Sequence, residues 1–136
     1  MPLDIVVAMD PIANIKVKKD STFAMLLEAQ RRGHRLRYAA PGDLGVVGGR
    51  AAARTASIQV RDDTAGWFEL GKAHWHALAE CDVVLMRRDP PVDSAYLHDT
   101  QILSLAQSDG VLVVNDAGGL RDLNEKLAAM LFPQCT

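Results

Sequence analysis

The sequence predicts an α/β domain: an open parallel sheet with flanking helices and a β-hairpin inserted near its middle. Three observations carry this. Short apolar runs alternate with stretches of helical composition, the pattern of βαβ units. The runs are nearly all apolar, as expected of strands whose two faces are both covered. With 136 residues, 49% hydrophobic and 24% charged, the chain has the size and make-up of one globular domain spanning residues 1–136.

The elements follow in order. Leu3–Met9 reads as the first strand. Asp10–Lys19 is a loop with a proline, an asparagine and three lysines. Asp20, Ser21 and Thr22 are capping residues for a helix running to about Arg32, with Phe23, Met25, Leu26, Leu27 and Ala29 toward the sheet and Gly33 as its stop. His34–Ala39 is a second strand. Leu44–Val47 and Arg50–Val60 form the hairpin, turned by Gly48-Gly49. Within it Thr55, Ser57, Gln59 and Arg61 alternate with Ala56, Ile58 and Val60. Asp62–Ala79 carries no clear periodicity. Cys81–Arg87 is a buried strand, Arg88-Asp89-Pro90-Pro91 breaks it, and Asp93–Gln107 has helical composition. Val111–Val114 is a further strand, Asn115–Gly119 a loop, and Leu120–Phe132 a helix that Pro133 ends.

Composition excludes several function classes. Uninterrupted apolar runs such as Ile5–Met9 and Val83–Met86 fall far short of the roughly 20 residues a membrane helix needs. An acid, Asp4, stands where a secretory signal would be basic, which points to a cytoplasmic protein. A formal charge of −2 gives no pull toward nucleic acid or membrane. Cys81 and Cys135 lack metal-type spacing, and Cys81 reads as an inert core thiol. No P-loop and no G-x-S-x-G is present. The glycines at 42, 45, 48 and 49 suit a hairpin turn better than a phosphate cradle, and His74-Trp75-His76 suits a surface loop better than a metal site.

Chemistry concentrates in two loops. The first, Met9–Thr22, follows strand one at its carboxyl end, where ligands bind in open α/β sheets. It offers an acceptor (Asp10), an amide (Asn14), cations (Lys16, Lys18, Lys19) and hydroxyls at a helix N-terminus (Ser21, Thr22). Asp20 and Ser21 fit simple capping equally well. The second, Met86–Pro91, also follows a buried strand. Its arginines suit carboxylates, held bidentately. A basic corner paired with Asp89 is the plainer alternative.

M-D-P-I-x-x-I-x-x-K-K-D-S-T-F-A-M-L-L-E-A-Q-R-R-G, from Met9 to Gly33, resembles the N-terminal segment of prokaryotic glutathione synthetases. Val84–Pro91 resembles that family's second landmark, which usually has lysine at position 88. Val113-Val114-Asn115 with Leu120–Leu127 resembles the third, while Asp116 and Gly118-Gly119 depart from the pattern. The resemblance implies a Rossmann-like pre-ATP-grasp domain from an enzyme that joins γ-glutamylcysteine to glycine through an acyl phosphate. It implies ATP and Mg2+ (or Mn2+) in the full-length enzyme, held by an ATP-grasp domain beyond residue 136, and none in this chain. On this view the chain is a fragment, inactive alone, from a family that generally forms homo-oligomers. Its part is one wall of the site for γ-glutamylcysteine and the product glutathione, with Asp10, Asn14, Lys18, Ser21, Arg87 and Asp89 as candidate substrate-binding residues. The alternative is a free-standing Rossmann-like interaction module without catalysis. The reading frame downstream of codon 136 distinguishes the two.

Overall fold

The computed structural model describes residues 2–89 and 91–122. Along them run β1 (Asp4–Met9), α1 (Ser21–Arg31), β2 (Arg35–Ala39), β3 (Leu44–Val47), β4 (Arg50–Val60), β5 (Phe68–Leu70), β6 (His74–Ala77), β7 (Val83–Arg87), α2 (Ser94–Ser108), β8 (Leu112–Val114) and α3 (Ala117–Asp122). The strands form one mixed sheet in the order β3-β4-β2-β1-β7-β8, with β5 and β6 both paired to β4. The β2-β1-β7-β8 half is parallel, and every pairing made by β4 is antiparallel. The predicted fold class therefore holds, with the hairpin joined into the sheet through β4.

The apolar runs are explained by two cores, one on each face. Along β1, Ile5, Val7 and Met9 point to the α1 side, where they meet Phe23 and Leu26. Val6 and Ala8 point to the α2 side, where they meet Leu103 and Ala106. Successive side chains of a strand face opposite ways, so a central strand must be apolar throughout. Fully burying a Phe or Leu stabilises by about 1.5–3 kcal/mol, so Phe23 and Leu26 largely fix how α1 sits. Met25, expected on that face, is 37% exposed. The helical period carries it away from the line of Thr22, Phe23 and Leu26.

The ends of α1 follow the sequence. The Asp20 carboxylate accepts the Phe23 backbone N–H at 2.7 Å and caps the first turn. Gly33 has φ +84°, and N–H groups of Gly33 and His34 reach back to the carbonyls of Gln30 and Ala29. That is a Schellman end, which favours glycine. At the hairpin, Gly48 and Gly49 have φ of +60° and +78°, as a two-residue turn between β3 and β4 requires.

The structure departs from the sequence reading, or completes it, at four places. Thr55, at a polar position of the two-residue alternation, is buried, because it shares a strand face with Ala51 and Ala53 in the α2-side core. The segment 62–79 contains two short strands, β5 and β6. His74-Trp75-His76 is therefore an edge strand paired with Ala53–Thr55, not a loop. The last helix begins at Ala117, not Leu120. Asp116 caps it by accepting the Gly119 N–H at 2.8 Å, which overrides the poor helix propensity of the two glycines. Expectations for Pro90, for the rest of that helix, for Pro133 and for Cys135 lie outside the described residues. Cys81 is a buried free thiol whose pKa is pushed up to about 11 by burial.

Candidate functional site

The site grows from one register. Met9 of β1 lies beside Arg87 of β7, so the two strands end together and release Asp10 and Arg88 at the same level. The loops that follow enclose a cleft of about 400 Å³. Asp10, Asn14, Lys16, Lys19, Asp20, Ser21, Thr22, Arg87 and Asp89 line it. That volume is in the range of small-molecule sites, and the carboxyl edge of the sheet is where such sites form.

The first loop is held rather than loose. Ile12 is 2% exposed and sits in the α1-side core. Its N–H donates to the Tyr38 hydroxyl at 3.1 Å, and its carbonyl accepts the Trp67 indole N–H at 2.9 Å. The two loops are also tied together, since the Asp89 N–H donates to an Asp10 carboxylate oxygen at 3.1 Å.

The two arginines part company. β7 alternates like any strand, so Val83, Leu85 and Arg87 face the α1 side while Val84, Met86 and Arg88 face the α2 side. The Arg87 Nε–H donates to the Thr22 hydroxyl at 3.0 Å, and Arg87 is part of the cleft lining. Arg88 turns behind the cleft, where it pairs with Asp99 at 2.6 Å and lies over the Tyr96 ring at 5.9 Å. Asp89 is not its partner.

The electrostatics are mixed by design of the lining: cationic Lys16, Lys19 and Arg87 face acidic Asp10, Asp20 and Asp89. The Asp89 carboxyl is held above its ordinary range, first by partial desolvation and then by the charges of Asp10 and Asp20, with Arg87 pulling the other way. Such a lining suits a zwitterionic ligand that carries both carboxylates and an ammonium. Among the described residues no group of three or more His, Cys, Asp or Glu is placed to hold a metal ion.

Of the six residues predicted from sequence, Asp10, Asn14, Ser21, Arg87 and Asp89 come together in the cleft. Lys18 is exposed on the same loop but does not line it. Lys16, Lys19, Asp20 and Thr22 join the lining, each from the loop already singled out. The anchors Tyr38 and Trp67 had no local signal. Among the described residues no helix is long and apolar enough to cross a membrane.

Comparison with known proteins converges on one family. The family described as prokaryotic glutathione synthetase, N-terminal domain, matches residues 3–121. The chain is 61% identical over 135 residues to the glutathione synthetase of Xanthomonas axonopodis pv. citri, covering 99% of this chain and 43% of that protein. It is 56% identical to the glutathione synthetase of Xylella fastidiosa strain Temecula1, with the same coverage. It is 48% identical over 130 residues to that of Vibrio cholerae, covering 96% of this chain and 41% of that protein. The chain thus spans about two-fifths of the length of these relatives.

Proposed function

Since the chain belongs to the prokaryotic glutathione synthetase N-terminal domain family, we propose that its strand-end cleft is the substrate-side wall that holds γ-glutamylcysteine for ATP-dependent ligation to glycine. The observation that carries this reading is the cleft itself. Residues of the two sequence landmarks line it together, cations and carboxylates among them. γ-Glutamylcysteine bears two carboxylates and one ammonium, which such a lining complements. Arg87 takes a carboxylate through paired N–H donors, and Asn14 bonds the peptide group. Asp10 and Asp89 face the ammonium.

Ligation through an acyl phosphate needs phosphate charge to be neutralised as it develops. We assign that chemistry to an ATP-grasp portion of the longer protein, with ATP and magnesium or manganese bound there. Residues 1–136 are then a single N-terminal domain whose contribution is orientation, itself a large factor in catalysis. Mixed with γ-glutamylcysteine, glycine, ATP and magnesium, the chain alone is expected to form no glutathione.

The test is a titration of the 15N-labelled chain with γ-glutamylcysteine, followed by NMR. Shifts confined to residues 10–22 and 87–89 support the reading. Shifts elsewhere, or none at millimolar dipeptide, overturn it in favour of an interaction module.

A further inference from the structure

We propose that Thr22 is a positioning residue of this cleft: its hydroxyl fixes the Arg87 guanidinium in the orientation that receives a ligand carboxylate. The proposal rests on the substrate-side reading for the ligand, but the positioning stands on geometry of its own.

Thr22 is 6% exposed, one of few buried polar residues described. It sits in the first turn of α1, beside the cap residue Asp20. Its hydroxyl accepts the Arg87 Nε–H at 3.0 Å, a link between residues 65 apart in sequence. Arg87 makes no ion pair among the described residues, although acidic Asp10, Asp20 and Asp89 line the same cleft.

The geometry gives this contact a consequence. A guanidinium is planar and its donors form a rigid fork. Holding Nε leaves the terminal NH2 groups as the ones that address the cleft and sets the plane in which they lie. Without the hydroxyl the side chain is free to swing toward the neighbouring carboxylates, and a bidentate carboxylate contact then has to be assembled on binding. The helix supplies rigidity that a loop residue would lack, since Phe23 next to Thr22 is locked in the core.

The experiment compares wild type, Thr22→Val and Thr22→Ser in the 15N-labelled chain. Valine keeps the shape and removes the acceptor, while serine keeps the acceptor. Two readouts are taken: solvent exchange of the Arg87 Nε–H cross-peak without ligand, and γ-glutamylcysteine affinity. Thr22→Val is expected to lose the protected Nε–H peak and to bind about tenfold more weakly. Thr22→Ser is expected to keep both, with the backbone spectrum preserved in each variant. Unchanged Nε–H exchange in Thr22→Val overturns the assignment, whatever happens to binding. So does a serine variant as impaired as the valine one. If the Nε–H responds as expected but wild type ignores the dipeptide, the positioning holds and the substrate reading falls.

Discussion

Arg87 and Arg88 are neighbours at the end of one strand, yet they serve different parts of the molecule. Arg87 is half-buried, bonded to a neutral hydroxyl, and lines an open cleft. Arg88 is enclosed behind that cleft, in an ion pair whose side chains are only 15% and 10% exposed. The difference teaches how a strand end divides its charges. Strand alternation sends one cation to the cleft and the next into the packing against α2. A charge committed to a buried partner holds the scaffold, and a charge left with a weak partner stays available to a ligand.

The sharpest way to break the comparison is on the Arg88 side. Removing one member of a buried pair strands the other and typically costs about 3–5 kcal/mol. Against the roughly 5–15 kcal/mol stability of ordinary domains, that is a large share. Asp99→Ala is therefore expected to lower urea and thermal midpoints strongly. The direction of the Asp99 pKa adds a second test. Burial raises it, and the Arg88 hydrogen bond and charge recover only part of the shift. The stability linked to Asp99 is therefore complete below its ordinary value of 3.8 and declines as pH rises through the raised folded value. Replacing both members by apolar residues leaves no charge stranded, so Arg88→Met with Asp99→Leu is expected to recover much of what Asp99→Ala loses. A small effect of Asp99→Ala would show that Arg88 is as free as Arg87.

The Arg87 side gives the next largest effect, in binding rather than folding. Arg87→Ala is expected to weaken γ-glutamylcysteine binding about ten- to a hundredfold, as for loss of a charge-assisted contact of about 1.5–3 kcal/mol. The melting temperature should barely move. Weakened binding that comes only with unfolding would erase the distinction between the two arginines. Asn14→Ala should follow with a smaller loss, about two- to tenfold, because a neutral hydrogen bond is worth about 0.5–1.5 kcal/mol. Titration calorimetry on both variants checks the order, and a larger effect at Asn14 would reverse it.

Much of this arrangement was legible in the sequence. The runs Leu3–Met9 and Cys81–Arg87 announce central strands, and the loops after them contain the cleft residues. Asp20 and Gly33 mark the ends of α1 by chemistry that acts within a few residues. What stayed hidden acts over distance. β5 and β6 are three- and four-residue strands, too short to show a period, and they exist because β4 offers them an edge. Trp67 gave no sign that it would hold Ile12 from 55 residues away. The opposite fates of Arg87 and Arg88 had a usable signal. Extending the two-residue period of Val83–Met86 past the strand end assigns them to opposite faces.

The smallest effect tests whether the cleft's charges sense one another. Asp89 titrates above its ordinary value of 3.8, mainly because it is partly desolvated, and then because Asp10 and Asp20 are close. Arg87 opposes the shift. In a 13C-detected NMR titration, Asp10→Asn is expected to bring the Asp89 pKa down toward 3.8, and Arg87→Ala to send it higher. The sign for stability follows from the raised value. The part linked to Asp89 is complete below pH 3.8 and is lost as pH rises through the folded pKa, so Asp10→Asn should flatten that slope. Asp89 is exposed, and solvent screening keeps the effect slight in unfolding curves even where NMR resolves it. Arg88→Ala provides the contrast, because Arg88 sits on the other face with Asp99 and is not among the groups that set Asp89. If Arg88→Ala, in the folded protein, moves the Asp89 pKa as much as Arg87→Ala does, the two faces of the strand end are electrostatically one region, and the division between working and structural arginine fails.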